Sequence, residues 1–327
     1  MVMEKRFDIC TYGELLIDFT ESGISNQGNP LYEANPGGAP CNVIAMLQKI
    51  GHRTAFIGKV GNDVFGRQLK AAIEKLGICS EGLMFDPVDN TSLAIVGKKP
   101  DGDRDFSFIG PHGRGFLPKT ADHILTKGDL IRDSRIFHFG TASVEVDGSG
   151  LDEGTAYGVK VAQENGLLIS FDPNYREASW SRNEDYIKAI EAVLPVVNIL
   201  KISDNEIEIM TGKDPETGAK ELFDRYPNIV LLLATLGKNG SIAFYKDKKV
   251  KVDAFLGDDT IETTGAGDTF LGGVLHGVLE RGIDDLTEKD LEEMLKFAGA
   301  AAYLITTKKG ALAVMPSMED IERVLNR

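Results

Sequence analysis

The chain has 327 residues, 42% of them hydrophobic, which is enough apolar material for a substantial buried core. Its 36 basic and 50 acidic side chains give a formal net charge of −14. This charge argues against a nucleic-acid-binding protein, because such proteins present basic surfaces to phosphates. The three cysteines form no CxxC pair, so the sequence indicates neither a disulfide framework nor a zinc site, and a reducing cytoplasm fits best.

No segment of the sequence predicts export or membrane insertion. The first ten residues mix charged side chains with too few apolar ones for a signal-peptide core. The longest strongly apolar run, residues 229–234, is far shorter than the ~20 residues that cross a bilayer. We therefore expect a cytoplasmic protein that binds neither membranes nor nucleic acids.

Apolar and amphipathic segments alternate along the chain. Runs rich in β-branched and aromatic residues predict buried strands at 7–12, 54–58, 135–140, 167–172, 198–203 and 229–235. Helical spacing of apolar residues predicts helices at 42–50, 63–76, 151–164 and 184–194, and two more within 287–327. This alternation predicts an α/β fold with a doubly wound, mostly parallel sheet flanked by helices.

Two stretches interrupt the alternation and predict a small β-sheet lid. Residues 20–35 are polar and rich in Gly and Asn, and residues 91–115 read as a β-hairpin around a Pro-Asp-Gly turn. A hairpin cannot continue a parallel sheet, and a β-flap beside the ligand end of a sheet would act as a lid. We expect one domain over residues 1–327, with the lid formed by about 19–36 and 90–115.

A turn of small residues opens directly into a predicted helix at Gly265, Ala266 and Gly267. Their backbone N–H groups can approach an oxyanion, and the helix N-terminus adds partial positive charge. Asp268 follows and is placed to take the proton of an attacking hydroxyl. An ordinary helix start with an acidic first turn is the alternative. The dinucleotide pattern GxGxxG fails because Phe270 occupies the third glycine position, and no GxxxxGK[ST] motif is present.

Several motifs in order along the chain resemble those of one enzyme family. Residues 264–270 (TGAGDTF), followed by two glycines, resemble the carboxy-terminal signature of the ribokinase-like (PfkB) carbohydrate kinases. Residues 37–43 (GGAPCNV) and 58–66 (GKVGNDVFG) resemble the amino-terminal signature, and residues 13–18 (GELLID) resemble the fructokinase branch. The resemblance implies a ribokinase-like fold and an ATP-dependent sugar kinase, with Asp268 as the catalytic base beside Gly265, Ala266 and Gly267.

The predicted sugar end begins after the first strand. Asp18 lies where open α/β sheets bind ligands, although a solvated loop aspartate is the alternative reading. Gly37, Gly38 and Asn42 precede or open a helix, and helix initiation alone would also explain them. The resemblance implies that these four residues bind the sugar hydroxyls.

Two further segments predict substrate contacts. Arg176 ends a DPNYR run at the ligand edge of the sheet, where it would clamp the sugar or the moving phosphate, or else form a surface salt bridge. Arg104 and Phe106 lie in the lid hairpin and would cover either the sugar or the domain's own flank. Many fructokinases and ketodeoxygluconate kinases resemble each other in an aromatic-Tyr-Arg run at the end of this hairpin. This chain lacks the run, and Arg114 is the candidate to replace its arginine.

The predicted nucleotide end follows the later strands. The segment from Lys201 to Glu206 resembles the family's NxxE motif, with Ser203 at the Asn position and Glu206 retained. The resemblance implies that Glu206 holds Mg²⁺ or its waters. Thr235, Gly237 and Gly240 form a TLGxxG run that contacts ATP in similar kinases, although a tight turn is equally consistent. Gly299 lies on a helix that borders adenine in the family. The cofactors expected from the resemblance are therefore ATP and Mg²⁺.

Two expectations depend on the resemblance alone, and a third concerns the histidines. Monovalent cations activate many family members through an Asp that is replaced here by Glu262, so K⁺ is undecided. A homodimer formed through the lid is expected. The histidines show no metal-ligand spacing, which favours structural or surface roles.

The combined expectation is a fructokinase that converts D-fructose to fructose 6-phosphate. The alternative sugars are 2-dehydro-3-deoxygluconate and ribose, because the lid arginine that accompanies sugar choice is missing or displaced. A noncatalytic sugar- or nucleotide-sensing protein on the same fold is the alternative from a different functional class.

Overall fold

The computed structural model describes residues 5–98, 104–110, 124, 126–145 and 150–326. Its largest element is a nine-stranded sheet made of β1 (Ile9–Tyr12), β4 (Thr54–Gly61), β5 (Cys79–Asp86), β8 (Ile136–Gly140), β9 (Leu168–Asp172), β10 (Ile199–Ser203), β11 (Leu231–Thr235), β12 (Ser241–Tyr245) and β13 (Lys248–Val252). A separate small sheet contains β2 (Leu16–Ile24), β3 (Pro30–Gly37), β6 (Leu93–Lys98) and β7 (Arg104–Ile109).

The large sheet has the strand order β13-β12-β11-β10-β9-β8-β1-β4-β5. All neighbours from β5 to β11 pair in parallel, whereas β12 and β13 add an antiparallel edge. The doubly wound, mostly parallel sheet is therefore confirmed, and each of the six predicted strands belongs to it. The sequence pattern predicts neither β5 nor β13, because both lie at an edge and are only partly buried.

Helices cover both faces of the large sheet. They are α1 (Ala39–Lys49), α2 (Val64–Leu76), α3 (Gly128–Arg132), α4 (Glu153–Glu164), α5 (Asn183–Val193), α6 (Asp204–Thr211), α7 (Pro215–Arg225), α8 (Ala266–Arg281), α9 (Glu288–Thr306) and α10 (Met318–Leu325). Successive residues of β1 face two different cores: Ile9 packs with α1, α2 and α8 to α10, and Cys10 packs with α3 to α7. Burial on both faces explains why the central strands read as continuous apolar runs. None of the described helices is long and apolar enough to cross a bilayer.

The small sheet, with the order β3-β2-β6-β7, occupies the two stretches that interrupt the alternation. β6 and β7 form the expected antiparallel hairpin, and the polar residues of 20–35 form most of a second hairpin, β2–β3. Asp18 pairs with Asn35 and with Ala94, and Ala94 pairs with Phe108. Because directly paired residues share a face, Asp18 and Phe108 point to the same side of the small sheet.

Close packing of α1 against α8 depends on a glycine. A Cβ atom added at Gly272 would lie 2.9 Å from Met46 Cβ and 2.9 Å from the carbonyl oxygen of Val43. Both contacts are shorter than van der Waals contact allows, and one of them is to backbone. Only a residue without a side chain therefore lets the two helices approach this closely.

We predict that Gly272→Val lowers the free energy of unfolding by about 1–3 kcal/mol, because the added side chain overpacks the contact between the two helices. Urea unfolding measures the change. Ala71→Val, at an exposed position of α2, is the matched control and should change stability by no more than about 0.5 kcal/mol. Equal stabilities of the Gly272 variant and the wild type would show that the helices are not held this closely.

Candidate active site

A cleft of about 410 Å³ lies at the carboxyl ends of β1, β8, β9 and β10, between the small sheet and the start of α8. Parallel sheets bind ligands at this edge. The cleft brings together eight of the residues singled out by sequence, namely Asp18, Gly38, Asn42, Arg176, Lys201, Gly265, Gly267 and Asp268. These residues span most of the chain, so the fold itself assembles the site.

Asp268 is buried in the first turn of α8 and is oriented by α1. Asn42 Nδ2 donates a hydrogen bond of 2.9 Å to Asp268 Oδ2. Burial raises the pKa of Asp268, while the hydrogen bond from Asn42 and the charges of Lys201 and Arg176 oppose that rise. A fixed carboxylate of increased basicity is suited to accept a proton from a hydroxyl. Asn42 Oδ1 is buried and accepts no hydrogen bond from any described residue.

The start of α8 presents backbone donors to the cleft. Gly265 is the N-cap with φ 75°, and a Cβ there would lie 3.0 Å from Ala311 Cβ. The amide of Ala266 donates to the Thr263 carbonyl at 3.3 Å, so this predicted phosphate donor is already engaged. Among the described residues, no acceptor pairs with the amides of Gly267 and Asp268. These two N–H groups at a helix N-terminus form an anion-binding position.

Lys201 adds a positive charge beside these amides. A Cβ at Gly267 would lie 3.2 Å from Lys201 Nζ, and the ammonium group is 3.0 Å from Asp172 Oδ2. Burial lowers the pKa of Lys201, but Asp172 and other nearby carboxylates outweigh this effect and raise it overall. The lysine is therefore held as a cation in a buried ion pair. β10 supplies Lys201 and β9 supplies Asp172, so neighbouring strands fix the pair.

The turn that carries Arg176 is held by two carboxylates. Asp172 Oδ1 accepts a 3.0 Å hydrogen bond from the amide of Asn174, and Glu206 Oε1 accepts one of 2.6 Å from the amide of Tyr175. Glu206 Oε2 accepts a 2.6 Å bond from the amide of Ser203. Glu206 thus ties the end of β9 to the end of β10. Arg176 is exposed and lines the cleft at the end of this turn.

The predicted sugar-binding glycines have a structural explanation in the described residues. A Cβ at Gly37 would lie 2.1 Å from Asp18 Oδ2, and a Cβ at Gly38 would lie 2.3 Å from the Glu14 carbonyl oxygen. Gly38 also has a φ of 134°. Both glycines allow β2 and the start of α1 to approach closely, and this approach places Asp18 and Asn42 on the same cleft.

Sequence reasoning assigned no role to Glu14, which lines the cleft. Glu14 Oε1 accepts a 3.0 Å hydrogen bond from the amide of Ala39. Burial raises the pKa of Glu14 to about 7, and the charge of Asp268 adds to the increase. The position of Glu14 just after β1, inside the GELLID run, was a usable signal because that strand ends at the ligand edge.

Apart from Lys201, Gly265 and Gly267, the predicted nucleotide residues lie outside this cleft. Ser203 caps α6, Thr235 ends β11, and Gly237 begins a 3-10 turn into β12. A Cβ at Gly240 would lie 2.0 Å from the Val252 carbonyl oxygen, which gives that glycine a structural role. Gly299 lies in α9, and a Cβ added there would lie 3.4 Å from the Phe255 ring. A second depression of about 640 Å³ beside the turn is lined by residues that include Asp204, Leu236, Lys238, Asn239, Asp253 and Leu256.

Some of the lid side chains that were predicted to cover the sugar fall outside the described residues. This applies to Arg114 and to the side chains of Arg104 and Phe106, although both of the latter belong to β7. Phe108, two residues after Phe106, lines the cleft. The hairpin therefore reaches the site through at least this aromatic side chain.

The chain matches known proteins over almost its whole length. A family model described as "pfkB family carbohydrate kinase" matches residues 6–318. The chain is 37% identical over 314 residues to a probable fructokinase-2 of Arabidopsis thaliana, covering 94% of this chain and 93% of that protein. It is 36% identical over 322 residues to a fructokinase-2 of Solanum lycopersicum, with 95% and 94% covered.

Solved structures of fructokinases also match the chain over almost its whole length. A fructokinase with bound ATP from Xylella fastidiosa matches with a TM-score of 0.82 at 25% identity, covering 98% of each chain. A fructokinase from Vibrio cholerae O395 in fructose, ADP and calcium ion bound form matches with a TM-score of 0.79 at 26% identity, covering 98% of this chain and 99% of that one. The chain belongs to the pfkB family of carbohydrate kinases and is therefore a phosphotransferase with an alcohol group as acceptor.

The raised pKa of Glu14 generates a prediction about stability. The folded state holds the Glu14 proton more tightly than the unfolded state does. The free energy of unfolding therefore falls as the pH rises from the ordinary pKa of a glutamate through about 7. Glu14→Gln removes this penalty and can still accept the Ala39 hydrogen bond. At about pH 8 it should raise the free energy of unfolding by about 1–3 kcal/mol, with little effect at about pH 4.

Urea unfolding at both pH values measures this difference. The exposed Glu21→Gln is the control and should show no such pH-dependent gain. A Glu14→Gln effect of equal size at the two pH values would contradict the raised pKa.

Proposed function

We propose that the protein is an ATP-dependent fructokinase that transfers the γ-phosphate of ATP to the primary C6 hydroxyl of D-fructose. The observation that carries the proposal is the arrangement at the start of α8. A buried carboxylate, Asp268, lies there beside unpaired amides and the cationic Lys201. This arrangement joins a proton acceptor to an anion-binding position. A reaction in which a hydroxyl attacks a phosphoryl group needs both.

The chain's own residues have distinct roles in this reaction. Asp268 accepts the proton of the attacking hydroxyl, and Asn42 keeps its carboxylate oriented. The amides of Gly267 and Asp268, together with Lys201, stabilise the charge on the transferring group. The Asp172 carboxylate positions Lys201 through their buried ion pair. Arg176, at the cleft wall, is placed to contact the sugar or the moving phosphate.

Glu206 is suited to bind Mg²⁺ indirectly, through the water molecules of the ion. Each of its carboxylate oxygens accepts one backbone N–H group, which leaves room for a second hydrogen bond from a metal-bound water. Mg²⁺ in proteins keeps several of its waters, so a water-mediated contact suits it. When bound, the ion would neutralise charge on the ATP phosphates. We propose that Glu206 both ties β9 to β10 and holds the waters of this ion.

The nucleotide is proposed to lie along the turn between β11 and β12. Thr235, Gly237 and Gly240 would present their backbone to ATP, and Gly299 would border the base. The depression beside Leu236 and Lys238 supports this placement, because it offers an apolar and a basic side chain next to one another.

A monovalent cation near Glu262 stays an open part of the proposal, because this carboxylate already accepts a hydrogen bond from Thr264.

A neutral ketose fits the cleft better than a sugar acid. Glu14 and Asp18 both line it, and carboxylates accept hydrogen bonds from hydroxyl groups but repel a substrate carboxylate. Lys201 is already paired with Asp172, so Arg176 is the remaining cation for a sugar acid among the described residues of the cleft. These observations favour fructose over 2-dehydro-3-deoxygluconate. Ribose is the other candidate, and relative kcat/KM values for the three sugars with Mg-ATP distinguish them.

A noncatalytic sensor on the same fold is the second functional class. Its binding pocket would have no need for a buried carboxylate next to unpaired amides, so Asp268 argues against it. Sugar binding without phosphate transfer to any sugar in the panel would favour the sensor.

Cellular location and assembly complete the proposal. The three cysteines are free, which fits a reducing compartment, and we propose a cytoplasmic enzyme.

We also propose that the small sheet acts as a lid and pairs two subunits. It carries four exposed large apolar residues: Ile24 (69% exposed), Leu31 (46%), Tyr32 (47%) and Ile109 (53%). Exposed apolar groups concentrated on one element are typical of an interaction surface.

We predict that Asp268→Asn lowers turnover of fructose by about 10²- to 10⁴-fold, because the amide cannot accept the proton. ATP binding, followed by calorimetry, should stay close to that of the wild type. Asp285→Asn removes the same charge from a fully exposed side chain and should leave turnover unchanged. Unchanged turnover in the Asp268 variant would reject its role as the base.

We predict that the wild type has twice the 35.5 kDa mass of one chain. The double substitution Leu31→Glu and Tyr32→Glu should shift it to a monomer, since charges on the small sheet would oppose burial between subunits. Light scattering after size-exclusion chromatography measures both masses. A wild-type monomer, or a dimer unaffected by the substitutions, would contradict pairing through this sheet.

A further inference from the structure

Two histidines and a glutamate form a cluster outside the active-site cleft. His52 is buried just after α1, and His276 and Glu280 lie one turn apart on α8. His52 Nε2 lies 2.8 Å from His276 Nδ1, and one ligand atom from each of the three residues lies within 4.8 Å of the others. The kinase reaction described above uses none of these residues.

We propose that His52, His276 and Glu280 bind a divalent transition-metal ion of the Zn²⁺ class. Two imidazole nitrogens and one carboxylate oxygen are a ligand set that Zn²⁺ prefers, whereas Mg²⁺ prefers oxygen ligands. Zn²⁺ binds histidine nitrogen at about 2.0–2.1 Å. The two ring nitrogens are close enough to share one ion after a small separation, and the exposed Glu280 can swing in from the open side.

Asp8 supplies an independent observation that supports a metal site. Its Oδ2 atom lies 3.7 Å from His52 Nδ1, on the opposite side of the ring from His276. A carboxylate at this position favours a proton on Nδ1 and directs the Nε2 lone pair towards the cluster. Metal-bound histidines usually donate this N–H group to a carboxylate, and Asp8 lies just beyond hydrogen-bond distance of it. The amide of Arg53 donates a 2.9 Å hydrogen bond to Asp8 and fixes this carboxylate.

The surrounding charges and packing are compatible with a bound cation. The guanidinium groups of Arg53 and Arg135 lie 3.6 and 3.8 Å from Asp8 Oδ1, so their charges are directed to that carboxylate. The His276 ring packs against Phe297 with a centroid separation of 4.9 Å, which restricts its rotation. The cluster is therefore largely formed before any ion binds, and occupancy would link α8 to the chain between α1 and β4.

The test is a titration of the metal-stripped full-length protein, without ATP, Mg²⁺ or sugar. Zn²⁺ is followed by calorimetry and Co²⁺ by its visible absorption, which reports nitrogen and oxygen ligands. We expect one ion per chain. We expect Glu280→Gln and Asp8→Asn each to weaken Zn²⁺ binding by about 10- to 100-fold, and His276→Gln to weaken it by at least that much.

Controls separate this site from other metal binding. Glu293→Gln changes another exposed glutamate, one that pairs with Arg281 near the same end of α8, and should leave Zn²⁺ binding unchanged. Urea unfolding checks that each variant is folded, so the result does not depend on the proposed sugar. Absence of a stoichiometric ion, or affinity unchanged in the surface variant Glu280→Gln, would overturn the proposal.

Discussion

The structure of the active site depends on one hydrogen bond between two distant parts of the chain. Asn42 on α1 donates to Asp268 on α8, and both side chains are buried. A buried carboxylate is costly unless hydrogen bonds and nearby charges stabilise it. The bond forms because α1 and α8 pack closely, and Gly272 makes that packing possible. The packing of α1 against α8 thus sets the orientation of the Asp268 carboxylate.

A second constraint is the balance of charge around this carboxylate. Asp172 and Lys201 form a buried pair on neighbouring strands, and Glu206 ties the ends of the same two strands together. Removing one member of such a pair leaves an uncompensated charge, so the cluster acts as a unit. In the proposed reaction, the unpaired amides at the start of α8 would receive phosphate oxygens and Asp268 would accept the proton. This combination distinguishes a phosphotransferase site from a general sugar-binding pocket.

The sequence predicted the sheet from local patterns, and it predicted eight residues of the cleft from motifs and from the family resemblance. Buried central strands appear as apolar runs, and a Gly-rich turn before Asp268 marks a helix start. The partly buried strands β5 and β13 lack this signal. The engaged amide of Ala266 could not be read from sequence, because it depends on how the turn at Thr263 closes. The histidine cluster was missed because His52 and His276 lie 224 residues apart, whereas sequence motifs show only nearby ligands.

The most direct measurement is a crystal structure of the Asp268→Asn variant with fructose and Mg-ATP, in which slow turnover preserves both substrates. We expect the C6 hydroxyl within about 3 Å of the side chain at position 268. We also expect γ-phosphate oxygens to bind the amides of residues 267 and 268. A C6 hydroxyl directed away from that side chain, or a γ-phosphate distant from the start of α8, would contradict it.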